Sequence, residues 1–286
     1  KIHSINPVRE RSKPTLNFSQ RLFHLAQRSV ASKGYLEAIT WSFTDEKINK
    51  FFLLKDNPIR LANPINSDLN VLRNSIYPNL IYYLKKNIDR GFENFSLFEI
   101  GPSFNGKEPG QQQNIICGIK TGNVNEKNWN EKNRSFDVFD VKKDVVQTLV
   151  ELGIDKKDVL IDDKTPQYYH PGKSGIIFPK KDKNNILAYF GELHPNIIKE
   201  LEIKTNAIYG FEIFLDKLAT YKSNNKKIKS KISISDFQKS ERDFAFVIDK
   251  NFKSQDLIEI ISNVDKSLIR NVRIFDVYEG ENIPLN

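Results

Sequence analysis

The residue whose type and setting first suggest chemistry is Arg73, in "ANPINSDLNVLRNSIYPNLIYYLKKNIDRG". A single arginine in an apolar setting is either part of an active site or a buried structural charge. Glu99 and Glu192 sit at the ends of strand-like runs, where carboxylates can do acid–base work. His170 in "YYHPGKSG" has the reach of a general base, but Pro171 and Gly172 have the order of a type II turn. A turn histidine beside a strand is the simpler reading. His194, before Pro195 in "GELHPNII", reads as a residue opening a helix. The four histidines are far apart, with no HxH or HxxxH spacing, and the single cysteine, Cys117, excludes a disulfide framework. Its setting in "NIICGIKTG" predicts a buried strand thiol, and no metal site is expected. GxSxG, GxGxxG and GxxxxGK[ST] motifs are absent.

With 286 residues, 39% of them hydrophobic, the chain has room for a large domain and a smaller one. No apolar run reaches the roughly 20 residues of a membrane span. The start, "KIHSINPVRERSKP", has no apolar signal core and no initial Met, so the reading is a cytoplasmic protein given as a fragment. The net charge of +8 permits a polyanionic partner, although a basic balance is often only a solvated surface.

The elements that must position these residues follow from periodicity and punctuation. Residues 1–14 read as a polar arm or linker. Within 16–33 a helix places Leu22, Leu25, Ala26, Ser29 and Val30 on one face, with Gly34 just past its end. "YLEAITWSF" follows as strand. A helix over 76–90 takes Ser75 as cap and Pro78 in its first turn, buries Ile76, Leu80, Leu84 and Ile88, and stops at Gly91. Short strands come next, in "FSLFEI", "NIICGIK", "SGIIF", "ILAYFGEL" and "IYGFEIF", with a helix in "DVKKDVVQTLVELG" facing inward through Val145, Leu149 and Leu152. Clustered strands with irregular helices predict an α+β domain with a mostly antiparallel sheet over 15–221.

The lysine-rich stretch 222–232 reads as a linker. In 233–286, "RDFAFVID" reads as a strand, "SQDLIEIISNV" as a helix and "IRNVRIFDVYEG" as a second strand. This is the opening of a ferredoxin-like domain whose remaining elements would lie beyond Asn286. Phe244, Phe246 and Tyr278 with Lys239, Arg242 and Arg273 have the mix of aromatic and basic groups that suits RNA. The competing reading, favoured for Phe244 and Phe246, sends those rings into the small domain's core.

Five signatures, in order, carry a resemblance: "ANPINSDLNVLRNSIYPNLIYYLKKNIDR", "SLFEIGPSF", "YYHPGKSG", "GELHP" and "SERDFAFVID…IRNVRIFDVYEGENIP". Together they resemble the C-terminal half of the bacterial phenylalanine–tRNA ligase beta chain. The resemblance implies a class II aminoacyl-tRNA synthetase-like antiparallel sheet flanked by helices, followed by a partial ferredoxin-like anticodon-binding domain. A working class II site needs an arginine on the ATP α-phosphate and another near the γ-phosphate. The matching segments, "SLFEIGPSFNGKEPG" and "IYGFEIFLDKL", contain neither, and Lys217 cannot supply a bidentate fork. Arg73 is then a buried or interface arginine, and the copy is non-catalytic: no catalytic, cofactor or metal residue is expected in this chain, with ATP and Mg2+ serving the whole enzyme.

The implied work is to support a catalytic alpha chain, in an assembly of two alpha and two beta chains, and to contact tRNA(Phe). Leu22, Leu25, Val30, Trp41 and Arg73 are the expected subunit-interface residues. Lys226, Lys227, Lys229, Lys231, Lys239, Arg242, Arg273 and Tyr278 are the expected tRNA contacts. Two rivals remain at this point: a free-standing RNA-binding module, and an active class II ligase domain.

Overall fold

The computed structural model describes residues 3–4, 15–54, 58–224 and 237–280. The chain divides into two compact units, 1–227 and 228–286.

The first unit is built on a seven-stranded sheet of β1 (Leu36–Glu37), β5 (Phe95–Phe104), β6 (Gln112–Thr121), β7 (Val159–Asp162), β8 (Tyr169–Pro179), β9 (Ala188–Leu193) and β10 (Tyr209–Phe214). Their order is β1-β5-β6-β10-β9-β8-β7; every neighbouring pair is antiparallel except β1 with β5. A three-stranded sheet, β2 (Phe43–Thr44), β4 (Val71–Leu72) and β3 (Ile59–Arg60), stands apart from it.

Side chains alternate across the large sheet, so each face collects its own core. On one face Phe98, Ile100, Ile116, Phe211 and Ile213 meet α1 (Phe18–Ala31), α4 (Val138–Glu151) and α6 (Leu215–Asn224) through Leu22, Val30, Val145, Leu149 and Leu218. The other face, with Ile115, Cys117, Ile119 and Tyr189, is covered by α3 (Tyr77–Ile88) and α5 (Pro195–Glu200). A short helix, α2 (Glu46–Asn49), precedes the 3-10 turn that supplies Phe52 to this second core.

Local chemistry sets the helix ends. Asn17 and Gln20 form a reciprocal capping box on α1, and Asp137 and Asp140 form one on α4. Gly34 and Gly91 stop α1 and α3 at φ of +84° and +91°, a region glycine enters without steric cost. Three expectations need correction. Ser75 lies just before the N-cap of α3, Ile76; its hydroxyl still accepts the N–H of Tyr77 at 3.1 Å. Leu25 is 37% exposed, because the buried stripe of α1 runs through Leu22, Ala26, Ser29 and Val30. His170-Pro171-Gly172 is no free turn; it lies inside β8, where the register slips between Tyr169 and Ser174 against β9.

In the second unit, α7 (Ser254–Val264) covers the residues read as helical. The segments "RDFAFVID" and "IRNVRIFDVYEG" form no strand ladder among the described residues. A split βαβ unit sets its two strands on either side of another strand, so neither segment can pair with the other. Phe244 and Phe246 are 72% and 52% exposed in this chain, where no strand pairs beside them among the described residues. The arm at 5–14 and the lysine-rich stretch from 225 to 232 lie outside the described residues.

Candidate functional site

Glu99 on β5, Cys117 on β6, Glu212 on β10 and Tyr189 on β9 are successive register partners, so their side chains share one row across one sheet face. Arg73, just past β4, reaches the end of this row. Its Nη1 donates to Glu99 Oε1 at 2.6 Å, to Thr40 Oγ1 at 3.0 Å and to the Trp41 carbonyl at 3.3 Å. Its Nε donates to the Pro102 carbonyl at 2.9 Å, and Thr40 Oγ1 donates to Glu99 Oε2 at 2.7 Å. The glycine at 101 makes room for the guanidinium: a Cβ there would lie 2.5 Å from Arg73 Nη2. Every one of these partners belongs to this chain, and Arg73 is 2% exposed.

Further along the row, Glu212 accepts Ser75 Oγ at 2.5 Å and Tyr168 Oη at 2.7 Å. Burial without a cation raises the pKa of its carboxyl above the usual range, against the pull of those two donors. Tyr77 and Tyr169 share a hydrogen bond of 2.6 Å between their hydroxyls. With Phe52 and Tyr168 these rings pack at centroid distances of 4.9 to 6.1 Å, and Tyr77 lies against the bare backbone of Gly210. Burial, then Glu212 and Glu99, push the Cys117 thiol up, so it stays protonated. The face is filled by its own side chains.

The other chemical candidates are occupied too. Glu192 is 5% exposed and pairs with Lys173 at 2.9 Å. His170 Nδ1 accepts the Gly172 N–H at 3.0 Å, and His194 Nδ1 accepts that of Asn196 at 3.2 Å as the cap of α5. Lys217 lies over the Phe214 ring at 4.6 Å, and partial burial lowers its pKa. No group of three or more His, Cys, Asp or Glu residues with metal-binding geometry occurs among the described residues. With Arg73 held by Glu99 and the row filled by Phe52, Tyr77, Tyr168 and Tyr169, this face does not fit a magnesium-bound nucleoside triphosphate.

Of the expected interface residues, Leu22, Val30 and Arg73 are 4%, 0% and 2% exposed, buried in this chain's own core. Their side chains are not surface, which corrects the interface expectation for Leu22 and Val30 and leaves Arg73 with the buried one of its two readings. Leu25 and Trp41 are exposed, and so are Leu36 and Ile39, at 69% and 91%. The last two went unnamed in the sequence, although their strand was noticed. Of the expected tRNA contacts, Lys226, Lys227, Lys229 and Lys231 fall outside the described residues. Lys239, Arg242, Arg273 and Tyr278 are exposed. Lys239 pairs with Glu241 at 2.5 Å, and Arg242 donates to the Glu241 carbonyl at 3.2 Å.

Sheet order, helical covering and the β5–β6 hairpin define a protein with the class II aminoacyl-tRNA synthetase-like fold. PylSc, a pyrrolysyl tRNA synthetase from Desulfitobacterium hafniense, shares that fold at a TM-score of 0.52, over 72% of this chain and 69% of its own, at 13% identity. Residues 2–215 match the phenylalanyl tRNA synthetase beta chain CLM domain, and 235–286 the ferredoxin-fold anticodon binding domain; the chain belongs to the phenylalanyl-tRNA synthetase beta chain family. The phenylalanine–tRNA ligase beta subunit of Paramagnetospirillum magneticum is 37% identical over 269 residues, 94% of this chain and 33% of that subunit. That of Bartonella henselae is also 37% identical, over 93% of this chain and 33% of its own length. The chain thus spans about a third of the relatives it matches.

Proposed function

We propose that this chain is the supporting part of a phenylalanine–tRNA ligase beta subunit, non-catalytic itself, which holds the catalytic alpha chain and contacts tRNA(Phe) in the cytoplasm. The observation that carries the reading is the closed sheet face. Its one arginine is bound to Glu99 at 2.6 Å, and aromatic rings fill the space a substrate would need. In this reading ATP and Mg2+ are handled by the alpha chain, within an assembly of two alpha and two beta subunits. Leu25, Leu36, Ile39 and Trp41, each a large exposed apolar group, face the alpha chain in this reading, as subunit contacts bury such groups. Lys239, Arg242, Arg273 and Tyr278 approach the tRNA. No helix among the described residues is long and apolar enough to cross a membrane.

The test is phenylalanine-dependent ATP–pyrophosphate exchange, with this chain alone and with the alpha chain added. Exchange only in the mixture, with co-elution of the two chains, is the expected result. Exchange by this chain alone would establish the rival reading of an active ligase domain.

A further inference from the structure

Between β6 and α4 the chain makes a polar excursion, 123–135, with Trp129 near its middle at 96% exposure. The excursion is closed at its base by an antiparallel bridge between Asn123 and Ser135 and by the bond from Val124 N–H to the Arg134 carbonyl at 2.9 Å. Arg134 anchors it to α4 through both Asp140 oxygens, each at 2.7 Å. Around the indole, Asn128 Oδ1 accepts the N–H groups of Asn130 and Glu131 at 3.0 and 2.9 Å, and Asn125 Nδ2 donates to Glu131 Oε2 at 2.8 Å. The loop satisfies its own polar groups, yet presents the one large apolar side chain at its crown to water.

We propose that this loop is a contact for an unpaired nucleotide of an RNA strand, stacked on Trp129, with Lys127 and Lys132 on the adjoining phosphates. Both lysines are exposed, and neither makes an ion pair among the described residues. Of the acidic groups near the loop, Asp140 is paired with Arg134 and Glu131 accepts from Asn125, while Glu126 is exposed beside Lys127. A protein-docking tryptophan usually stands among other apolar groups that exclude water. Here its sequence neighbours are polar, the Asn128 amide being engaged within the loop, and the ammonium groups suit phosphate. The site belongs to the first unit and is separate from the basic residues proposed above for tRNA, so it stands or falls independently of them.

The sequence has two tryptophans, so a chain carrying 5-fluorotryptophan gives two fluorine signals, and Trp129→Phe assigns them. Titration with a short single-stranded RNA, then with tRNA, should move the Trp129 signal and leave that of Trp41 in place. Trp129→Ala should weaken binding roughly tenfold or more, while Trp129→Phe, which keeps a stacking face, should cost less. Replacing Lys127 and Lys132 by Ala should lower the slope of log affinity against log salt by about 0.7 per lysine. Thermal melting of each variant checks that the fold is intact. A Trp129 signal unmoved at saturating RNA, or unchanged affinity in Trp129→Ala, overturns the proposal. A signal that moves only when the alpha chain is added gives the loop to a protein partner and overturns it equally.

Discussion

Arg73 and Glu99 meet at 2.6 Å with side chains 2% and 4% exposed, so the guanidinium's charge is neutralised from within the chain. The guanidinium also fastens the segment carrying Thr40 and Trp41 to β5. Removing one member of a buried pair leaves the other charged, desolvated and unmatched, which costs far more than the pair itself contributes.

Arg73→Ala should therefore destabilise the first unit by about 3–5 kcal/mol. The apolar double variant Arg73→Met with Glu99→Leu should recover much of the loss. Gly101→Ala, which drives a methyl into the guanidinium, should also destabilise. Urea midpoints of the four proteins check this. A selective loss of adenylate formation with unchanged stability would instead restore a catalytic role to Arg73.

Glu212 gives a pH dependence with a definite sign. Its folded-state pKa is raised above the ordinary 4.5, so proton binding favours the folded chain. Stability from this group is complete below the ordinary value and is lost as pH rises through the folded one. Glu212→Gln, which cannot ionise, should gain on the wild type as pH increases from about 4.5 upward. Denaturant midpoints of both proteins at several pH values measure the difference; parallel curves would remove Glu212 as the cause.

Leu25→Asp should weaken association with the alpha chain while changing stability by no more than about 0.5 kcal/mol, since Leu25 is at the surface. Leu22→Asp, three residues earlier and 4% exposed, should unfold the chain instead. Light scattering of the mixture separates the two results, and an unchanged complex mass for Leu25→Asp would move the interface elsewhere.

Arg242→Ala and Arg273→Ala, made in the intact chain and assayed with the alpha chain present, should weaken tRNA binding. Each should reduce the salt slope by about 1 if the side chain meets a phosphate. A slope that does not change would make these arginines ordinary solvated surface.

Much of the first unit was legible because its elements satisfy local rules. The caps of α1 and α4, the glycines after α1 and α3, and the apolar runs of the strands are statements about neighbours in sequence. The departures come from contacts distant in sequence. Leu25 leaves the buried face through the direction in which α1 meets the sheet, and the turn signal at Pro171–Gly172 is absorbed by pairing with β9. Arg73 stands out in the sequence, but its partner Glu99 is 26 residues away, beyond α3, and meets it because β5 runs back past residue 73, whose carbonyl accepts the Phe104 N–H. The tyrosine cluster escaped notice for the same reason, since Tyr77, Tyr168 and Tyr169 converge from α3, β8 and the loop before it. In the second unit the alternation in "RDFAFVID" predicts a strand, but the segment forms no ladder among the described residues, because a pattern does not supply a pairing partner.

The row Glu99–Cys117–Glu212 has a practical side as well. Cys117 is the chain's one thiol, fully buried at mid-sheet and held in its unreactive protonated form by that burial, with Glu212 and Glu99 adding to it. Maleimides and other thiol reagents would meet it only when β6 comes out of the sheet. The protein is therefore a ready background for labelling: a cysteine introduced on the surface would take a probe selectively in the folded chain, while the slow modification of Cys117 would time the opening of the sheet itself.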